Sequence, residues 1–169
     1  MVVALVIVIF SLLLDGLLTN FLPYMVQNLS FFTPMLTLVS LILIYPFFKK
    51  QLRKYFIICF VSGIVYDLLY TNLLFFNGLL FLAIGIFTML FYRYFEVRYF
   101  TLVLAIVVMI FLYECLTVSI IFLFQLVPVS FGRLFYKISH SLLLNIIYGE
   151  LLYGIIQLLP NKYKRLNIN

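Results

Sequence analysis

Six long apolar runs, separated by short polar breaks, make up this chain. Leu, Ile, Val and Phe recur on every face of each run. A helix that is apolar all round is either buried or in lipid. About 20 such residues carry a helix across a bilayer. The pattern predicts an all-α membrane protein with six transmembrane helices, over roughly 1–22, 31–48, 55–71, 76–92, 99–127 and 138–159. Residues 1–169 read as a single integral membrane domain.

The breaks have recognisable chemistry. Pro23 and Gln27-Asn28 part the first run from the second. Thr33-Pro34 has the form of an N-cap followed by proline at the first helical position. KKQLRK ends the second span, RYFEVR parts the fourth from the fifth, and Pro128 to Gly132 parts the fifth from the sixth. Pro160 stops the sixth. Asn72 and Asn77-Gly78 mark a tight turn between the third and fourth, which fit two slim crossings or a re-entrant pair. The first run lacks a basic leader and an A-x-A site, so it reads as a retained helix.

Composition agrees with a lipid solvent. Charged residues are 9% of the chain, against about 25% in soluble domains. Mean hydropathy is +1.26. So many all-apolar helices exceed what a chain this small can bury in its own core. The net charge of +6 is no sign of nucleic acid, because nine of the eleven Lys and Arg lie in three clusters flanking the spans. These are Lys49, Lys50, Arg53 and Lys54; Arg93 and Arg98; and Lys162, Lys164 and Arg165. The positive-inside rule then orients the chain N-in and C-in, with Arg133 and Lys137 outside. Tyr24, Tyr45, Tyr92, Tyr94 and Tyr99 lie near span ends and suit interfacial belts.

The candidate chemistry is acidic. Asp15, Asp67, Glu114 and Glu150 fall within spans; only Glu96 is in a loop. Each intramembrane acid costs about 2.5–3.5 kcal/mol on insertion scales and tends to face protein or a watery cavity. No Lys or Arg lies mid-span to pair with them. They are therefore protonated, bonded to Ser, Thr, Asn and Tyr groups, or met by a second protein. Two of them share a pattern, D-x-L-x-T-N-x-L, running from Asp15 to Leu22 and again from Asp67 to Leu74, an offset of 52. Either chance in a Leu-rich chain or a true repeat produces it. A true repeat would let each acid accept hydrogen bonds from the Thr and Asn one turn on.

Around Asp67, Gly63 lies one turn earlier on the same face and lets a neighbouring backbone come close. Tyr66 and Tyr70 offer hydroxyls beside it. Two readings stand: a helix-packing site built on Gly63 and Asp67, or an aspartic acid bonded only within the chain. Glu114 precedes Thr117 by one turn and reads as bonded within the bundle. Glu150 lies in YGELLYG, between Gly149 and Gly154, on a small-residue face. His140 and Asn145 read as satisfied bundle residues, and Cys59 and Cys115 as small buried side chains. Catalytic, cofactor and metal sites are expected to be absent. Ser62-Gly63 lacks the first glycine of a nucleophile turn, one histidine cannot supply HExxH, and there is no Walker lysine motif.

The stretch FVSGIVYDLLYTNLLFFNGLLFLAIG, residues 60–85, resembles the MreD family of bacterial rod shape-determining membrane proteins. Gly63 and Asp67 one turn apart, then a short turn and Gly78 opening the next helix, carry the resemblance, with Thr71-Asn72 where small residues are more usual. It implies a non-enzymatic scaffold of the cell-elongation, peptidoglycan-synthesising complex in the bacterial cytoplasmic membrane. Its expected partner is an MreC-like bitopic protein, and through it an MreB-like filament and a cell-wall polymerase and transpeptidase. Self-association as a homodimer is left open. The fold implied resembles the substrate-binding subunits of ECF transporters, so a vitamin-transporter subunit is the alternative function. Gly63, Asp67, Gly78, Asp15, Glu114 and Glu150 are the expected partner and helix-packing residues.

Overall fold

The computed structural model describes residues 2–25, 34–71, 73–96, 98–124 and 131–158. Six helices follow in order: α1 (Val2–Met25), α2 (Leu36–Phe48), α3 (Leu52–Tyr70), α4 (Phe76–Tyr94), α5 (Tyr99–Leu123) and α6 (Phe131–Leu158). Four of them, α1, α4, α5 and α6, are long and apolar enough to cross a membrane, and the chain is an integral membrane protein. The other two depart from the predicted spans. α3 carries Arg53 and Lys54 in its first turn and Asp67 near its end. α2 has only 13 residues, about 20 Å of helix at 1.5 Å per residue.

That short helix is the centre of the bundle. Leu36 through Tyr45 are all buried, as is Phe48, and α2 touches each of the other five helices. Its sequence, LTLVSLILIYPFF, is apolar on every side. An all-round apolar helix has two environments open to it, lipid or protein, and α2 takes the second. The long helices around it turn their outer faces to lipid. Leu5, Val6, Ile9, Phe10 and Leu13 on α1 are exposed, and so are Leu143, Ile147, Leu151 and Ile155 on α6.

Several predicted boundaries shift. α1 runs through Pro23 to Met25, and α2 runs through Pro46 to Phe48. Each proline lies within the last turn, so each removes one N–H where few further helical bonds follow. α6 starts at Phe131 and includes Gly132, so the expected break there is shorter than Pro128 to Gly132. α5 stops at Leu123 instead of residue 127. α2 begins after Met35, not at Pro34. Thr33, Asn72, the side chain of His140 and the basic tail fall outside the described residues.

Two tyrosines assigned to interfacial belts are core residues. Tyr45 and Tyr92 stack at 5.6 Å, and Tyr55 meets Tyr45 edge-on at 5.3 Å. The Tyr55 hydroxyl donates to the Leu41 carbonyl at 3.2 Å, so the ring buries its polar tip within protein. Tyr94 and Tyr99 are exposed at helix ends, as belt residues are. Cys59 is buried but Cys115 is exposed, because it lies on the outward face of α5.

Glycines set the closest approaches. A Cβ built on Gly63 would sit 2.6 Å from the Gly78 Cα and closer still to the Asn77 carbonyl oxygen. One on Gly85 would sit 2.9 Å from the Cys59 sulfur. α3 and α4 thus touch backbone to backbone along one seam. On α6, a Cβ at Gly149 would strike Ile106, while one at Gly154 would meet nothing within 4 Å. Gly63, Gly85 and Gly149 thus each face a close neighbour, and Gly154 does not. Gly63→Val is therefore expected to destabilise the bundle by about 2 kcal/mol or more through overpacking against backbone. Gly154→Leu is expected to leave the unfolding midpoint in detergent unchanged, and thermal unfolding of the two variants checks both.

Candidate functional site

Helix α2 begins with unpaired backbone N–H groups, as every helix does. No side chain of its own N-terminus caps it. The cap comes from α1. The Asp15 Oδ1 accepts the Leu36 N–H at 2.7 Å. Its Oδ2 accepts the Thr37 N–H at 2.7 Å and the Thr37 hydroxyl at 2.5 Å. From the other side, Asn145 of α6 accepts the Met35 N–H at 2.9 Å and anchors its own amide on the Ser141 carbonyl at 2.9 Å. Two helices, α1 and α6, therefore converge on the start of a third.

The same device recurs at α4, which also lacks a cap of its own. The Asp67 Oδ2 accepts the N–H groups of Asn77 at 2.8 Å and Gly78 at 3.3 Å. Its Oδ1 accepts the Asn77 side-chain amide at 2.7 Å and the Thr71 hydroxyl at 2.8 Å. Tyr113 of α5 then donates to the Asn77 Oδ1 at 2.6 Å. Every contact of both aspartates comes from a donor, and an acceptor at a helix N-terminus meets the positive end of the helix dipole. Phe75, just before α4, holds φ 67°, a left-handed geometry that costs a non-glycine residue about 1–2 kcal/mol. The bonds of Asp67 to the next turn hold that corner in place.

The 52-residue echo is thus a structural echo. In each copy an aspartate, mid-helix in α1 and near the end of α3, caps the start of the helix that follows. The match is not complete. Thr71 bonds the Asp67 carboxylate, but Thr19 donates to the Asp15 backbone carbonyl at 2.7 Å. Tyr70 does not serve Asp67. Its hydroxyl donates to the Leu12 carbonyl at 2.7 Å, crossing from α3 to α1, where its ring lies over Gly16. Tyr66 packs against Tyr70 and Phe81.

Gly63, Asp67 and Gly78 come together in one contact between α3 and α4. Asp15 joins α1 to α2. Glu114 is buried on α5, and Glu150 is half-buried on α6 beside Tyr99. The six residues do not form one cluster. Asn77, Asn145, Thr37 and Tyr113 complete the caps, and the sequence marked none of them as such. Their signal is faint, since each is a single polar residue on a different helix from the group it bonds. An α1–α6 link, Ser11 to Tyr148 at 2.6 Å, was equally silent.

Between the two caps lies a cavity of about 110 Å³, lined among others by Asp15, Met35, Leu38, Tyr66, Tyr113 and Thr117. At the opposite end, Lys49, Lys50, Arg53, Lys54, Arg93 and Arg98 are all exposed. The exposed pair Arg98–Glu96, at 2.8 Å, is the ion pair among the described residues. It contributes little, because water screens it.

Replacing Asp67 by Leu would strand the Asn77 and Gly78 N–H groups and the Asn77 amide. With about 1–3 kcal/mol for each buried donor left unpaired, Asp67→Leu is expected to remove most of the folded protein from detergent extracts. Asn77→Ala keeps both backbone N–H bonds to Asp67, leaves only the Tyr113 hydroxyl without its acceptor, and is expected to cost less. Folded yield by gel filtration and the unfolding midpoint measure both.

No curated protein and no solved structure matches the chain. The family model described as rod shape-determining protein MreD matches residues 1–163. With nearly the whole sequence matched, the chain belongs to the MreD family, membrane proteins of the rod shape-determining system.

Proposed function

We propose that this protein is a non-enzymatic scaffold of the cell-elongation complex in the bacterial cytoplasmic membrane. It controls cell shape by binding an MreC-like bitopic partner, and through that partner an MreB-like filament and the peptidoglycan polymerase and transpeptidase. The chain lies N-in and C-in, with the exposed basic end facing the cytoplasm. Family membership supports a role in rod-shape determination.

One observation carries the scaffold reading. The strongest polar groups of the described bundle, Asp15 and Asp67, are turned inward and spent on helix starts. The outward faces are apolar and include an open notch at Gly154, flanked by exposed Leu151, Ile155 and Leu158 with half-buried Glu150 alongside. A glycine with free space in front of it lets a second transmembrane helix approach closely. A carboxylate at its edge offers that helix a hydrogen bond. Gly63, Gly78, Asp15 and Asp67 then serve the partner indirectly, by holding the bundle that presents this face.

The alternative, a substrate-binding subunit of an ECF-type transporter, has less support. Small-molecule sites are commonly about 300–1,000 Å³, and the cavity between the caps is about 110 Å³. A vitamin does not fit that space.

The test is affinity purification of the tagged full chain from membranes of its own cells. Gly154→Leu, which leaves the fold intact, is expected to lower recovery of the MreC-like protein about tenfold, the loss of about 1.4 kcal/mol of contact. Glu150→Gln is expected to lower it less. Full recovery with both variants would remove this face from the interface. Co-purification of an ATPase pair in place of cell-wall proteins would replace the scaffold with the transporter.

A further inference from the structure

The cavity between the caps is not an apolar void. Apolar cavities stay dry, whereas polar ones of sufficient size hold water that makes two to four hydrogen bonds. Asp15 lines it with a carboxylate that is 1% exposed. That carboxylate takes three donors from α2, and a carboxylate has about four lone-pair sites. Tyr113 also lines it. Its hydroxyl hydrogen goes to Asn77, and the Thr117 hydroxyl lies within hydrogen-bonding reach of its oxygen. The Thr117 hydroxyl donates to the Tyr113 carbonyl at 2.8 Å and keeps an accepting oxygen. Tyr66 stands on the remaining side, within electrostatic reach of both Asp15 and Asp67. Among the described residues its hydroxyl makes no hydrogen bond, so its proton is available.

We propose that this cavity is a hydration site, holding a small cluster of ordered waters. The waters use the spare acceptor of Asp15, the proton of Tyr66 and the accepting oxygen of Thr117, which lies beside the Tyr113 hydroxyl. They join the Asp15 cap, at the start of α2, to the Tyr113–Asn77–Asp67 cap at the start of α4. The two caps share no direct bond among those described. Water makes them one network, so a change at either aspartate is felt at the other.

Hydroxyl-radical footprinting by X-ray pulse, on the full chain in lipid nanodiscs, tests this. Radicals form from water in place and oxidise the nearest side chain. Met35 lines the cavity and is 8% exposed, while Met109 is 1% exposed in the dry part of the core. Met35 is expected to oxidise several-fold faster than Met109. Filling the space with Leu38→Phe, or with Thr117→Leu should the first variant not fold, is expected to bring Met35 down to the Met109 rate. Equal rates in the unsubstituted protein would overturn the proposal, as would a Met35 rate indifferent to either filling. So would protection of Met35 by methylammonium chloride but not by sodium chloride, which would give the space to an amine.

Discussion

A helix that starts inside a membrane protein exposes N–H groups that lipid cannot satisfy, and this constraint organises the whole bundle. α2 and α4 both start without a cap of their own. In a soluble protein water would meet those groups. Here an aspartate from the preceding helix does, with Asn145 of α6 or Tyr113 of α5 closing the far side. The cost of placing a carboxylate in an apolar span is offset because the same atoms relieve two or more buried donors at once. Asp15 and Asp67 therefore do in this fold what Ser, Thr or Asp does at an ordinary N-cap, but across helices.

Close approach makes that reach workable. An aspartate side chain is short, so it caps a neighbouring helix only where the two backbones nearly touch. Gly63 facing Asn77 and Gly78 supplies that proximity for the second pair. The glycine-plus-aspartate spacing is thus one device with two parts, the glycine bringing α4 near and the carboxylate holding its first turn. Tyr70 over Gly16 then ties the second hairpin to the first, through its bond to Leu12. With Asp15 and Asp67 facing inward, the outer faces of the long helices are left apolar, which suits an integral membrane protein.

Much of this was legible in the sequence. Helix number follows from periodicity and hydropathy alone, and Gly63 one turn before Asp67 marked a place where a neighbouring backbone comes close. Helix α2 was not legible as a buried thirteen-residue core helix, because LTLVSLILIYPFF reads the same whether lipid or protein surrounds it. Tyr45 and Tyr92 were misplaced for a related reason: nearness to a span end places a ring at the interface only when its helix face looks outward. The cap supplied from α6 was hidden by distance along the chain. Asn145 lies 110 residues from the N–H it accepts, and no local pattern links the two.

The shortness of α2 bears on how the protein is made. A segment of 13 residues is about 10 Å short of the bilayer's hydrocarbon thickness, so it is poorly suited to leave the insertion machinery on its own. It is also the segment the other five helices surround. The nascent chain is then obliged to keep its second helix sheltered until later ones emerge, with α1 and its waiting carboxylate as the first available companion. Biogenesis of such a bundle depends on the order in which neighbours arrive, and not on each helix partitioning by itself.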